Sequence, residues 1–267
     1  MTSLAWAVTD GLTITRRNLI KVKRVPDLIV FATLSPIMFV LLFRYVFGSA
    51  IPVPGIDYAS FLLPGILAQT VVFGSTITGS SIAEDLQKGL IDRFRSLPMA
   101  RSAVLVGRTT ADVGMNIISI AVMTATGLLV GWRIHSTPAK VTLGFLLLLL
   151  FAYSMSWLMA TVGLLVRTPE VFNNASFIVI FPLTFIANTF VPTNNFPTVL
   201  KVIADWNPVS AVVQSVRELF GNTAPILEAS TSWPLQHSVL YTLIWIVVLL
   251  GVFVPLSVHI YQRTASR

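Results

Sequence analysis

Long apolar stretches, separated by short polar and charged segments, dominate the pattern of this chain. Six of them approach or exceed the roughly 20 residues that a helix needs to cross the hydrocarbon core of a bilayer. Apolar and polar residues do not alternate along them, as they would in a membrane barrel. Arg44 lies near the end of the first stretch, where its side chain can reach the membrane surface. The pattern predicts six transmembrane helices, at 28–47, 58–83, 107–132, 141–166, 174–191 and 238–260.

The composition also indicates a membrane protein. Apolar residues make up 55% of the 267 residues, charged residues make up 11%, and the mean hydropathy is +0.81. A soluble domain carries roughly 25% charged residues, and a soluble fold of this length could not cover its surface with so few charges. We therefore expect an all-α membrane protein that forms a single transmembrane domain over residues 1–267.

Lysine and arginine are distributed unevenly between the two sides that the six spans define. If the N-terminus is inside, thirteen of the 18 basic residues fall on the inner side and five on the outer side. Cytoplasmic segments of membrane proteins carry an excess of these residues, so both termini are expected in the cytoplasm. The same bias explains the net charge of +7 better than nucleic-acid binding does, and no nucleic-acid partner is expected.

Residues 1–27, before the first span, predict an amphipathic helix on the membrane surface. Leu4, Val8 and Leu12 repeat at helical spacing, and a basic cluster suited to anionic headgroups follows them. Pro26 is expected to end this helix before the first span. A disordered basic tail is the alternative.

The segment 84–101, between the second and third spans, predicts a short amphipathic helix in the cytoplasm. Its charged residues fall away from one apolar face, and Pro98 ends the helix. The apolar face consists of Leu86, Leu90, Ile91, Phe94 and Leu97. Such a helix can dock into a groove on a cytosolic partner. The alternative is an ordinary loop that lies on the bilayer.

The segment 192–228 predicts a helical hairpin at the outer surface. Pro197 can open one short helix, and Asn207 followed by Pro208 provides an N-cap and a first-turn proline for a second, which Gly221 can end. The apolar face of the second helix consists of Val209, Val212, Val213, Val216 and Phe220. We expect both helices to re-enter the membrane or to lie on the outer leaflet. A plain interfacial hairpin is the alternative.

Polar side chains within the second and fifth spans are candidates for a transport pathway, because polar groups in a membrane tend to face protein or a cavity. These candidates are Gln69, Thr76, Ser80, Thr184 and Asn188. Hydrogen bonds between helices are the alternative explanation for each of them. At the inner end of the third span, Arg108 and Asp112 lie one turn apart. We expect these two side chains to satisfy each other, with a role in coupling as the alternative.

Several function classes lack the residues that their chemistry requires. No ionisable residue lies near the middle of a span, unlike in ion-coupled transporters. The three histidines fall near membrane ends, and no motif of an intramembrane serine protease or a metal site is present. Gly74 and Gly79 have the spacing of a P-loop, but Ser80 and Ser81 replace its Lys-Ser/Thr pair. The chain is therefore not expected to be an enzyme, to bind a metal or to hydrolyse ATP itself.

Two ordered sets of residues carry a resemblance to a known family. The inner set is Glu84-Asp85, Gly89, Arg93, Pro98 and Arg101, followed by Gly107-Arg108 and Asp112. The outer set is Phe190-Val191-Pro192, Pro197, Asn207-Pro208-Val209 and Arg217. Together with the six spans and the amphipathic N-terminus, these sets resemble ABC transporter type-2 permeases. The nearest subgroup is the daunorubicin-resistance (Drr-type) efflux permeases of actinobacteria.

The resemblance implies the membrane-spanning permease subunit of an ATP-driven exporter in the bacterial cytoplasmic membrane. Such an exporter moves a lipophilic compound, such as a drug, an antibiotic or a lipid, out of the cytoplasm or the inner leaflet. Its implied partners are membrane lipid, a second permease copy or paralogue, and a cytosolic ATP-binding subunit that holds ATP and Mg²⁺. An ion-coupled secondary transporter or a channel subunit is the alternative. The implied coupling residues are Glu84, Asp85, Leu90, Arg93, Phe94, Arg95, Pro98 and Arg101. The implied residues of the outer re-entrant helices are Pro197, Asn207, Pro208 and Arg217.

Overall fold

A computed structural model describes residue 34 and residues 36–48, 51, 53, 55–89, 103–193, 196–223 and 232–264. Within these ranges the regular structure is helical and no strand occurs, which confirms the all-α fold class. The helices are α1 (Pro36–Phe47), α2 (Tyr58–Gly74), α3 (Thr76–Gln87), α4 (Ala103–Leu129), α5 (Pro138–Leu165), α6 (Pro169–Phe185), α7 (Thr198–Asp205), α8 (Pro208–Phe220), α9 (Trp233–Gln236) and α10 (Ser238–Thr264). The expected surface helix at 1–27 lies outside the described residues.

Four helical segments of the described chain are long and apolar enough to cross a membrane. They are Tyr58–Gln87, Val104–Leu129, Pro138–Leu165 and Ser238–Arg263, with 30, 26, 28 and 26 residues. Each exceeds the roughly 20 residues that the hydrocarbon core requires. They correspond to the spans expected at 58–83, 107–132, 141–166 and 238–260. The helices α1 and α6 occupy the positions of the other two expected spans and are shorter, α6 having 17 residues.

The helices α2 and α3 follow each other directly, with the turn residue Ser75 between them. The Ser75 hydroxyl donates to the carbonyl of Val72 at 2.6 Å, and the Thr76 hydroxyl donates to the carbonyl of Phe73 at 2.7 Å. Side-chain hydroxyls that bond to the preceding turn compete with the backbone pattern and bend helices. The two hydroxyls therefore lie where the helical pattern is interrupted.

Helix α5 lies at the centre of the fold, where it contacts α3, α4, α8 and α10. Its small residues Ala152, Ser156 and Ala160 are buried, as expected for residues that let helices approach closely. One close approach is between Gly163 of α5 and Gly79 of α3. A Cβ atom on Gly163 would overlap the backbone of Gly79. The two backbones therefore touch directly, and this crossing point leaves no room for a side chain.

Helix α8 begins and ends at the predicted residues. The Asn207 side chain accepts from the N–H of Val209 at 2.8 Å, Pro208 is the first helical residue, and Gly221 follows the helix with a left-handed φ of 69°. The apolar face is fully buried: Val209, Val212, Val213, Val216 and Phe220. The predicted capping residues thus stand at the two ends of α8, and its apolar face packs inside the protein.

Helix α7 has the opposite character, because its apolar face points outward. Val199, Val202, Ile203 and Trp206 follow one another at helical spacing and are each between 48% and 72% exposed. The Trp206 ring also meets the Tyr241 ring edge-on, with 6.1 Å between centroids. An apolar stripe with an interfacial tryptophan is typical of a helix that lies at a membrane surface.

Helix α6 ends at Phe185, whereas the fifth span was expected to continue to residue 191. The Asn207 side-chain amide donates to the carbonyls of Leu183 and Ile186, at 2.8 and 3.2 Å. The last carbonyls of a helix have no partner within it, so this amide stabilises the early end. Pro182, which has no N–H for the backbone pattern, lies in the last turn. Residues 186–190 follow as a non-helical turn.

Candidate functional site

A cleft of about 380 Å³ lies between α1, α2, α3, α4 and α6. One part of its wall is aromatic and contains Phe39, Phe73, Phe177, Phe181 and Phe185. The other part carries amides and hydroxyls, from Gln69, Thr70, Thr76, Asn116 and Ser119. The described residues that line it include no charged side chain. Its volume falls within the range of small-molecule sites, roughly 300 to 1,000 Å³.

The α6 rings of the aromatic wall belong to a longer row of neighbouring phenylalanine rings, some stacked and some tilted. Along α6, the centroids of Phe177 and Phe181 lie 5.0 Å apart and those of Phe181 and Phe185 lie 4.3 Å apart. The row continues to Phe190 at 5.3 Å and from there to Phe43 of α1 at 4.4 Å. The α6 members are spaced by four residues, which places them on one helical face. Their faces suit contact with a flat apolar or aromatic molecule.

The polar wall can exchange hydrogen bonds with a ligand. Gln69 is only 6% exposed, and among the described residues its amide has no hydrogen-bond partner. The Asn116 amide donates to the carbonyl of Asp112 at 3.0 Å, and the Thr70 hydroxyl donates to the carbonyl of Ile66 at 2.8 Å. A hydroxyl or amide that donates in this way retains its oxygen lone pairs as acceptors. The wall therefore offers one free amide and several acceptors.

The structure brings together two of the five expected pathway residues. Gln69 and Thr76 line the cleft, whereas Ser80, Thr184 and Asn188 do not. The Thr184 hydroxyl is fully buried and donates to the carbonyl of Ile180 at 2.8 Å, within its own helix. The N–H of Asn188 donates to the Ser210 hydroxyl at 3.1 Å, which joins the 186–190 turn to α8.

Sequence reasoning missed Asn116, Ser119 and the aromatic wall. Asn116 and Ser119 lie three residues apart in the third span, so they share one helical face. The spacing of Phe177, Phe181 and Phe185 by four residues is a similar signal. Both patterns are visible in the sequence, but they do not reveal that the two faces meet across one cleft.

Arg217 of α8 is fully buried, and backbone carbonyls surround its guanidinium. Nε donates to the carbonyl of Phe61 at 3.0 Å, and Nη2 donates to that of Asn188 at 2.6 Å, with the Thr189 carbonyl at 3.4 Å. The guanidinium carbon also lies 3.8 Å from the centroid of the Phe61 ring, a cation–π contact. Arg217 therefore joins α8 to α2 and to the 186–190 turn.

A second contact between helices is an ion pair that joins α3 to α4. Arg108 Nη2 donates to Asp85 Oδ2 at 3.2 Å, and both side chains are largely buried. The expected partner of Arg108 was Asp112, one turn along the same helix. Asp112 is also buried, but its Oδ2 has no hydrogen-bond partner among the described residues. The expectation is corrected: packing of α3 against α4 brings Asp85 within reach of Arg108.

The expected coupling segment is described only at its start. Glu84 and Asp85 lie in the last turn of α3, and Glu84 pairs with the exposed Lys88. The remaining coupling candidates lie outside the described residues: Leu90, Arg93, Phe94, Arg95, Pro98 and Arg101. The Asp85–Arg108 pair spans the base of this segment, because α3 leads into it and α4 follows it.

Sequence comparisons relate the chain to transport proteins. The profile of the family described as ABC-2 type transporter matches residues 10–220. The chain is 33% identical over 259 residues to the daunorubicin resistance ABC transporter permease protein DrrB1 of Streptomyces coeruleorubidus, which covers 97% of this chain and 88% of that protein. It is 23% identical over 221 residues to the probable doxorubicin resistance ABC transporter permease protein DrrC of Mycobacterium tuberculosis, covering 82% and 79%. The putative transport permease ycf38 of Cyanophora paradoxa is 23% identical over 228 residues, covering 84% and 78%.

Proposed function

This chain belongs to the ABC-2 type transporter family and is a membrane-spanning permease subunit of an ABC exporter, and we propose that it moves a lipophilic compound, such as a drug, an antibiotic or a lipid, out of the cytoplasm or the inner leaflet. The cleft carries this proposal, because its uncharged and partly aromatic wall suits such a compound. The names of two relatives, which specify daunorubicin and doxorubicin resistance, support a drug-sized substrate.

The proposed substrate rests its apolar body on the phenylalanine row of α6 and directs its polar groups to Gln69, Thr76 and Asn116. Buried apolar area supplies most of the affinity of such a site, and a few hydrogen bonds fix the orientation. The described lining holds no ionised group to bind a counter-charge. A compound dominated by apolar surface therefore fits better than an ion.

We infer that α1 and α6 complete the two remaining spans, which gives six in total with both termini in the cytoplasm. The distribution of lysine and arginine supports this orientation. Both helices line the cleft, and Phe177 and Phe181 of α6 are 55% and 42% exposed. A second permease copy or a paralogue packs on this side and completes the pathway.

Permeases of this family generally work with a cytosolic ATP-binding subunit. We infer that this subunit contacts residues 84–101 and that it binds ATP and Mg²⁺ and hydrolyses the ATP. Closure of the ATP-binding subunits on ATP then moves α3 and α4, which flank the segment and are joined by Asp85 and Arg108. The movement shifts the population from an inward-open to an outward-open cleft.

Purification of the tagged full-length chain from its native membranes tests this function. We expect a stoichiometric ATP-binding subunit to co-purify, and vesicles containing the complex to accumulate daunorubicin only with ATP and Mg²⁺. Phe94→Ala removes the aromatic residue of the coupling face and should release that subunit, whereas Val247→Ala, on the exposed side of α10, should not. Accumulation driven by an ion gradient without ATP contradicts the proposal and supports a secondary transporter or a channel.

Loss of one polar group from the cleft is expected to weaken substrate binding. We expect Gln69→Leu, Thr76→Val or Asn116→Leu to raise the KM for ATP-dependent daunorubicin uptake by about threefold to tenfold, since one neutral hydrogen bond contributes about 0.5 to 1.5 kcal/mol. Thr142→Val is the matched control, because the Thr142 hydroxyl also bonds within its own helix, at 2.9 Å to Pro138, and lies outside the cleft. Equal KM values for all four variants and the unaltered protein would show that this wall does not contact the substrate.

A further inference from the structure

A second groove, separate from the cleft, lies between α4 and α5 and has a volume of about 470 Å³. Both helices are candidate membrane spans, so the groove lies within the bilayer. Its lining includes Ile117, Ala121, Thr124, Leu128, Phe145 and Leu149. Ile117 and Leu128 are 50% and 43% exposed. The groove therefore opens to the outer surface of the helix pair, on a different face of α4 from Asn116 and Ser119.

One polar atom interrupts the apolar lining. The hydroxyl oxygen of Thr124 is buried and has no hydrogen-bond partner among the described residues. The neighbouring Thr126 hydroxyl donates to the carbonyl of Val122 at 2.9 Å, as threonines in helices commonly do. Thr124 thus retains a hydroxyl proton for an acceptor that enters the groove.

A cation lies beyond the end of the groove that Leu128 forms. Arg133 Nη1 donates to the carbonyls of Leu128 and Trp132, at 2.7 and 2.8 Å, and the residue is exposed. These bonds hold the guanidinium beside the groove and leave the donors of Nη2 and Nε without partners among the described residues. A planar guanidinium matches the geometry of a phosphate group.

We propose that the groove binds an anionic phospholipid of the surrounding membrane. One acyl chain lies along α4 and α5, an ester carbonyl accepts from Thr124, and the phosphate binds Arg133. The distance along α4 from Ile117 to Thr124 is about 10 Å, which holds the part of the acyl chain next to the ester. The apolar stretch, the free hydroxyl and the cation follow one another in the order tail, ester and phosphate. This proposal requires only that the chain spans a membrane and does not depend on the exported compound.

The headgroup contact is tested by native mass spectrometry of the full-length protein, extracted from vesicles of equal parts phosphatidylglycerol and phosphatidylcholine. We expect retained phosphatidylglycerol to exceed retained phosphatidylcholine. Arg133→Gln should lower this ratio about fivefold, which corresponds to ~1 kcal/mol for one cation near anionic lipid. Arg133→Lys should preserve most of the ratio. Lys140→Gln, which removes an exposed charge from the first turn of α5, is the matched control. Equal ratios for Arg133→Gln and Lys140→Gln would overturn the headgroup assignment.

The acyl-chain contact is tested by filling the groove. Ala125→Trp, at another lining position, should abolish retention of both lipids, while Val247→Trp on the exposed side of α10 should leave it unchanged. Ala121→Leu is a smaller filling substitution that serves if the tryptophan variant does not purify. Unchanged retention in the filled variants overturns the proposal. A change in the oligomeric mass of these variants also overturns it, since the groove would then be a contact between protein chains.

Discussion

Arg217→Met is expected to destabilise the protein more than any other single substitution in its buried polar set. The guanidinium donates to the carbonyls of Phe61 and Asn188, and methionine leaves both buried groups without this partner. A hydrogen bond from a charged donor contributes about 1.5 to 3 kcal/mol. Removal of a buried cation offsets part of that cost, so we expect a net loss of roughly 3 kcal/mol. The melting temperature of the detergent-solubilised protein should fall by roughly 6 to 12 °C.

Arg217→Lys separates the role of charge from that of shape. Lysine keeps the positive charge but has neither the planar fork that reaches Phe61 and Asn188 together nor the flat surface that lies on the Phe61 ring. We expect a melting temperature between those of Arg217→Met and the unaltered protein. Arg167→Met, which changes an exposed arginine between α5 and α6, is the control and should melt normally. If Arg217→Met melts with that control, the contacts of Arg217 do not stabilise the fold.

Breaking the Asp85–Arg108 ion pair is expected to uncouple ATP hydrolysis from transport. On the proposed coupling, α3 and α4 are then no longer joined, and closure of the ATP-binding subunit moves them independently. We expect Asp85→Asn or Arg108→Gln to lower daunorubicin uptake per ATP hydrolysed by about tenfold. This is the size of effect that ~1.4 kcal/mol produces, and a largely buried pair contributes at least that much when one partner is removed. Uptake and ATPase rates in vesicles measure the ratio.

A charge exchange tests whether the pair itself carries the effect. Asp85→Arg combined with Arg108→Asp restores opposite charges and should recover at least part of the coupling that each single reversal loses. Lys88→Gln is the control, because the Lys88–Glu84 pair is exposed and exposed pairs contribute about 0 to 1 kcal/mol. If the double variant couples no better than the single reversals, a contact other than this ion pair transmits the movement.

Local sequence patterns predicted the helices, whereas the contacts between the helices became visible only in the structure. Asn207, Pro208 and Gly221 define α8 because capping depends only on neighbouring residues. The four longest apolar runs became helices because lipid requires a closed backbone pattern. The end of α6 was misjudged because Asn207, some twenty residues further along the chain, satisfies its last carbonyls.

In the candidate site, too, the sequence predicted individual residues, whereas the contacts between distant residues became visible only in the structure. Gln69 and Thr76 were found because polarity within a span is itself a signal, and they lie in the cleft. The ion pair was misassigned because spacing within one helix indicates Asp112 as the partner of Arg108, whereas packing places Asp85 there. The row of phenylalanine rings that continues from the aromatic wall joins rings from separate segments, such as Phe43 of α1 and Phe190 of the 186–190 turn. No spacing rule connects residues so far apart in the chain.

In the proposed movement of α3, the direct backbone contact between Gly79 and Gly163 would act as the pivot. Along the helix axis, Gln87 at the end of α3 lies about 12 Å from Gly79, and Thr76 in the cleft lies about 4.5 Å from Gly79 on the other side. If α3 rotates there as a rigid body, its two ends move in opposite directions. A displacement of about 3 Å at Gln87 then becomes a displacement of about 1 Å at Thr76. The force at Thr76 is larger than the force applied at Gln87 in the same proportion as its displacement is smaller. A small displacement with a large force suits the breaking of contacts between a substrate and the wall of the cleft. It does not suit the movement of that substrate over a long distance.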